Sequence, residues 1–113
     1  MRLEAKKYLY DIQQAAGLIE AFVNDKAFKD YQSDSMLRSA VERQFEVIGE
    51  ALAQLARLDE NLVGRISEQR RIVAFRNILI HGYADVDDRV VWDIVESKLP
   101  ILRREVEKLL AES

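Results

Sequence analysis

The sequence predicts an all-α protein, an antiparallel four-helix bundle whose last helix is kinked or restarted near Pro100. Three observations carry this. Apolar residues recur at spacings of three and four along most of the chain, the period of a helix buried on one face. Only four glycines and one proline interrupt 113 residues. The breaks between periodic runs are short, so successive helices fold back as antiparallel neighbours. The length fits one domain spanning residues 1–113. A chain of this size buries roughly two-thirds of its unfolded surface, enough for a real core.

The first helix is expected over Leu3–Val23, with Leu9, Ile12, Ala16, Ile19 and Val23 as its stripe and Tyr8, Ala15 and Phe22 widening it. Asn24, Asp25 and Lys26 break the pattern, and residues 27–32 read as a loop or one short turn. Ser33, Asp34 and Ser35 are good N-cap residues for a second helix. Its stripe is Leu37, Val41, Phe45, Ile48, Leu52 and Leu55, and it ends near residues 57–61. Gly49 inside it costs about 1 kcal/mol relative to alanine and marks close approach of another backbone. Glu42, Glu46 and Glu50 line the opposite face at i, i+4 and i+8. They form either a solvated acidic ridge or a contact with the arginines of the third helix, with Glu50 the better placed.

A third helix is expected from about residue 67 to residue 80, with Ser67 as N-cap and Gly82 at the left-handed position after its end. Asp85, Val86, Asp87 and Asp88 open the fourth, where negative charge is favourable. Val91, Ile94 or Val95, Ile101 or Leu102, Val106 and Leu109 form its stripe. Pro100 either kinks it or sits in the first turn of a new helix capped by Ser97. Val90 and Trp92 lie beyond the internal stripe, which suggests self-association, although Trp92 can equally cap the core.

Composition excludes several classes. With no cysteine there is no disulfide or thiol chemistry, and the chain suits a reducing cytoplasm. One histidine and no cysteine argue against a structural zinc site, and no metal or cofactor is expected. The first residues lack the apolar core of a signal peptide, and no apolar run approaches a membrane span. The net charge of −3 does not suit a general nucleic-acid coat. Yet Arg65, Arg70, Arg71 and Arg76 fall within twelve residues against Glu68 alone. They form either a small basic patch or a solvated face with internal ion pairs.

That cluster leads into Arg76-Asn77-Ile78-Leu79-Ile80-His81-Gly82-Tyr83, which holds the only histidine. Arginine binds a phosphate through two parallel hydrogen bonds, and histidine moves a proton near neutral pH. These are two of the groups that metal-free cleavage of a phosphodiester needs. Five residues on an ideal helix set Arg76 and His81 about 140° apart. Either His81 swings back where the helix ends, or the site is completed by the same pair from a second chain. On physics alone, a histidine before a helix-terminal glycine is more often part of a C-cap.

This segment resembles the R-x4-H-x-Y signature of HepT-type toxins in the HEPN superfamily. Phe45-Glu46-Val47-Ile48-Gly49-Glu50-Ala51 is similar to that family's second-helix segment. Trp92-Asp93-Ile94-Val95 with Leu99-Pro100 is similar to its last helix. The resemblance covers nearly the whole chain and implies an HEPN-like helical bundle that dimerises and joins two motifs in one cleft. It implies a metal-independent endoribonuclease acting on single-stranded RNA. His81 is then general base or acid, Arg76 the stabiliser of phosphoryl charge, Asn77 and Glu50 supporting residues, and Arg70 and Arg71 RNA contacts. It further implies a partner, an MntA-type minimal nucleotidyltransferase antitoxin that transfers AMP to Tyr83, expected in an exposed turn, as in type VII-like toxin–antitoxin systems. A different class of function suits the same fold: a non-catalytic helical subunit that binds nucleotide or RNA, or docks the transferase. An oligomeric structural protein is a third.

Overall fold

The computed structural model describes residues 1–82 and 86–112. Among them there is no strand. Helix α1 is Leu3–Val23, α2 Phe28–Ser33, α3 Ser35–Leu58, α4 Glu60–Val63 and α5 Gln69–His81. Helix α6, Asp88–Asp93, runs through a π-helical turn, Ile94–Lys98, into α7, Leu99–Ala111. The bundle's four long members are α1, α3, α5 and the α6–α7 rod. Helix α3 is the central one, packed against both α1 and α5, while α7 packs on α1. Its 24 residues make it roughly 36 Å long, most of the molecule's 42 Å extent.

The predicted stripes form the core. Leu9, Ile12, Ile19, Val41, Ile48, Leu52, Leu55, Val91 and Val106 are fully enclosed. Each large aliphatic side chain contributes about 1.5–3 kcal/mol on burial. Phe45 meets Phe75 edge-on at 5.4 Å, locking α3 to α5. Asp34 is the cap of α3, its carboxylate accepting the amides of Met36 and Leu37.

Several local expectations change, and the alternative left open at Trp92 is resolved. Residues 27–32, read as loop or turn, lie mostly in α2, because Tyr31 is driven inward against Trp92 at 5.4 Å. Burial pushes the Tyr31 phenol above its ordinary range. Trp92 therefore belongs to the core, and the exposed apolar surplus of the last helix shrinks to Val90 and Ile101. Ser67 does not cap α5. Its amide and hydroxyl both donate to Glu105, at 3.0 and 2.7 Å, and the cap position passes to Glu68 with a left-handed φ of 58°. Gly82 is not left-handed, with φ at −90°. Glycine is needed there because a Cβ would stand 2.6 Å from the Ile78 carbonyl oxygen.

The interruption near Pro100 takes the form of the π turn. Pro100 has no N–H, and its ring crowds the carbonyl one turn back. Widening the turn relieves both: the Leu99 amide reaches the Ile94 carbonyl five residues away, and Pro100 enters the first turn of α7. Ser97 does not cap a restart, since its hydroxyl donates to the Asp93 carbonyl at 2.6 Å.

Candidate active site

Helices α3 and α5 cross where Gly49 meets Arg76. A Cβ on Gly49 would lie 2.3 Å from Arg76 Cβ and 2.6 Å from Cγ, so only glycine admits the arginine stem. The close approach expected at Gly49 is thus to a side chain. The guanidinium emerges beside the next residue of α3. Arg76 Nη2 stands 3.0 Å from Glu50 Oε2, while Gln54 Nε2 donates to Glu50 Oε1 at 2.9 Å. The Arg76 side chain is 16% exposed and that of Glu50 56%. One face of the pair is walled by the bundle and the other open to solvent. Arg76 Nε is buried with no hydrogen-bond partner among the described residues. The fork has five N–H donors, and Glu50 engages one edge of it. Donors remain for an anion.

His81 is the last residue of α5, and it is exposed. Ala74, Asn77, Ile78 and His81 are all exposed at i, i+3, i+4 and i+7, so they form one outward stripe. The structure thus makes two half-sites on one helix. Arg76 and Glu50 lie together at the α3–α5 seam, and Asn77 and His81 share the outer face. No hydrogen bond joins Arg76 to His81 among the described residues, and the helix runs through both positions without bringing them together. Tyr83, the candidate modification site, lies outside the described residues.

The arginine cluster disperses. Arg65 pairs with Glu112 at 2.7 Å, and Arg71 with Glu68 at 2.9 Å. Glu68 is also held by Lys98 at 2.7 Å, and that hydrogen bond, with Arg71 adding to it, keeps its carboxyl below the ordinary range. Arg70 is exposed and has no ion pair among the described residues. It edges a shallow groove of about 370 Å³ with Ala53, Ala56, Val63 and Val73. Surface pairs such as Arg71–Glu68 are weak, so Arg71 can exchange its partner for a phosphate at little cost. Among the described residues, no group of three or more His, Asp or Glu side chains is arranged to hold a metal ion. No helix among them is long and apolar enough to cross a membrane.

The role of Gly49 beneath Arg76 was only half legible. A glycine within an apolar stripe signals close approach, but which element approaches depends on the α3–α5 crossing. Glu50 was legible from its place in the acidic row. The Glu105 contact with Ser67 links positions 38 apart and leaves no local signal.

Comparisons with known proteins bear on the same segments. The family model described as ribonuclease HepT-like matches residues 12–109. The chain is 38% identical over 109 residues to the probable ribonuclease HepT of Thermococcus cleftensis, covering 96% of this chain and 98% of that protein. It is 33% identical over 104 residues to a protein of Methanocaldococcus jannaschii named "Putative RNase", covering 92% and 94%. A second protein of that organism, named "Gamma-glutamylcyclotransferase and putative RNase", is 33% identical over 112 residues, with 99% of this chain but 50% of that protein covered. No solved structure matches the chain. The matched span contains the glycine that admits Arg76, the carboxylate that holds it and the histidine that ends α5, and on this basis the chain belongs to the ribonuclease HepT-like family, within the HEPN superfamily.

Proposed function

We propose that this protein is a metal-independent endoribonuclease acting on single-stranded RNA as a homodimer, the toxin of a type VII-like toxin–antitoxin pair. The observation that carries the reading is the fixed guanidinium of Arg76, seated on Gly49 and tied to Glu50, on the same helix as an exposed terminal histidine. In this scheme the ribose 2′-oxygen attacks the adjacent phosphorus. A P–O2′ bond forms as the P–O5′ bond breaks, leaving a 2′,3′-cyclic phosphate and a 5′-hydroxyl. His81 of one copy takes the 2′-hydroxyl proton and His81 of the other gives a proton to the departing 5′-oxygen. Arg76 stabilises charge on the non-bridging oxygens. Asn77 orients the phosphate from the His81 stripe, Glu50 positions Arg76, and Arg70 and Arg71 contact the strand further along. DNA lacks the attacking hydroxyl and is not cut.

The purified protein should cleave single-stranded RNA in excess EDTA with cyclic-phosphate ends. Arg76→Ala and His81→Ala should each lower the rate by about 10²-fold or more with the helical spectrum unchanged. Activity surviving both changes would falsify the assignment. RNA binding without cleavage by the wild type would favour the non-catalytic docking reading.

Regulation in this reading falls on Tyr83, two residues past His81. The phenol oxygen attacks the α-phosphorus of ATP, forming a phosphodiester and releasing pyrophosphate, and the phenol proton passes to a base of the nucleotidyltransferase partner. The added phosphate places negative charge and bulk where the RNA phosphate binds. Tyr83→Phe should keep most of the nuclease activity and gain no mass from the partner with ATP and magnesium. An AMP-sized gain on the Phe variant equal to the wild type's places the acceptor elsewhere.

A further inference from the structure

Beside the Arg76–Glu50 pair, on the other flank of α3, a groove of about 450 Å³ runs between α1 and α3. Its walls carry Lys7, Tyr8 and Asp11 from α1, and Arg43, Glu46 and Glu50 from α3. Tyr8 packs against the core yet remains partly exposed, and it lines the groove. The Lys7 ammonium stands 5.6 Å from the ring centroid. A ring fixed by packing beside a cation is a stacking surface for a nucleobase.

The charges sort into engaged and free. Lys7 is bound to Asp11 at 3.0 Å, and Glu50 is bound to Arg76 and Gln54. Arg43 and Glu46 stand three residues apart on one face of α3, the spacing at which opposite charges pair, yet neither forms an ion pair or side-chain hydrogen bond among the described residues. One free guanidinium and one free carboxylate therefore line the same groove next to the ring. Three carboxylates against two cations make the groove a poor seat for a phosphate. A neutral ligand is needed, with an aromatic face, an acceptor edge for arginine and adjacent N–H donors for a carboxylate. Guanine has all three: O6 and N7 accept from arginine, and N1–H and N2–H donate in parallel to a carboxylate. Adenine and uracil would each turn at least one acceptor toward Glu46.

We propose that the α1–α3 groove is a base-specific subsite that receives a guanine next to the scissile phosphate. Tyr8 stacks on the base, Glu46 accepts from N1–H and N2–H, and Arg43 donates to O6 and N7. Glu50 forms the shared wall, so a base in the groove belongs to the nucleotide whose phosphate lies on Arg76. The proposal rests on the ribonuclease reading of Arg76 and His81, and two readouts separate them.

The first readout is binding. Guanosine, adenosine and uridine monophosphates are titrated into the isotope-labelled wild-type protein and followed by amide shifts. Guanosine monophosphate should perturb Tyr8, Arg43 and Glu46 and bind about tenfold more tightly than the other two. Glu46→Gln, which keeps the shape, and Tyr8→Leu, which keeps the packing, should remove that difference. The second readout is the distribution of cut sites in a random-sequence RNA pool, which should centre on guanine in the wild type and flatten in both variants. Guanosine monophosphate that leaves the groove amides unmoved overturns the proposal, as does a guanine bias that survives both variants, or a cut-site bias toward another base. Groove binding by a wild type that cuts no RNA sinks the nuclease reading and leaves the subsite standing.

Discussion

Arg76 shows how much one position can depend on another. Its guanidinium is useful to an anion because its stem is fixed, and the stem is fixed because residue 49 has no side chain. Gly49→Ala inserts a methyl group 2.3 Å from Arg76 Cβ, which α5 can relieve only by moving away from α3. Overpacking of this kind costs about 1–3 kcal/mol, and here it also shifts Arg76. The expected outcome is a lower melting temperature and a cleavage rate reduced more than the substrate affinity, read from kcat and KM separately. A variant with wild-type stability and rate would show that the seam tolerates the methyl and that the glycine is incidental. At this scale the sequence was informative about residue type. The histidine, the arginine five places before it and the acidic row on α3 all marked themselves. It was less informative about partners. Glu50, the better placed of the acidic row, does reach Arg76, but that Glu46 lines the α1–α3 groove depends on the packing of α1 on α3, which no local pattern reveals.

Between helices, long amphipathic runs were legible and short ones were not. The α1 boundaries and the α3 stripe follow directly from period and capping residues. Helices α2 and α4, of six and four residues, are too short to display a period. They exist because of what they bury: α2 sets Tyr31 on Trp92 and Phe28 beneath the Arg89 guanidinium at 3.8 Å, and α4 buries Leu62 and Val63. The start of α5 was misread for a related reason. Ser67 has the chemistry of a cap, but Glu105 on α7 competes for it, and no local pattern reveals a partner 38 residues away. That contact ties the entrance of the motif helix to the last helix. Glu105→Ala removes both acceptors at once and leaves the Ser67 amide and hydroxyl to water. The loss should be about 1 kcal/mol, since the groups are exposed, or a few degrees in melting temperature. Hydrogen exchange should quicken first at the start of α5. A uniform change along the chain, or none, would mean that Glu105 does not hold that entrance.

Across the whole molecule, the single chain presents Arg76 and His81 in different directions. Arg76 faces α3 while His81, Asn77 and Ile78 face outward, about 140° away for residues five apart. The sequence already pointed to this conflict, and the structure sharpens it by continuing α5 through His81. It also moves the apolar surplus. With Trp92 in the core, the large exposed apolar residue on the stripe that ends at His81 is Ile78, 53% exposed. Two copies meeting along this stripe about a twofold axis would bring both histidines near each other and near both seams, which a C2 interface accomplishes with one patch. Ile78→Asp puts a charge at the centre of that patch without touching the core. The wild type should sediment as a dimer at micromolar concentration, and the variant should shift to monomer with its helical spectrum intact. Truncating or charging a central apolar contact weakens association by about tenfold or more, and cleavage should fall with dimer content as the protein is diluted. Mixing His81→Ala with wild-type protein extends the test, because a cleft that needs a histidine from each copy loses activity in the mixed dimers beyond simple dilution. A monomeric Ile78→Asp protein that cuts RNA at the wild-type rate would place the whole reaction within one chain, and His81 would then have to reach Arg76 by bending back from the end of α5.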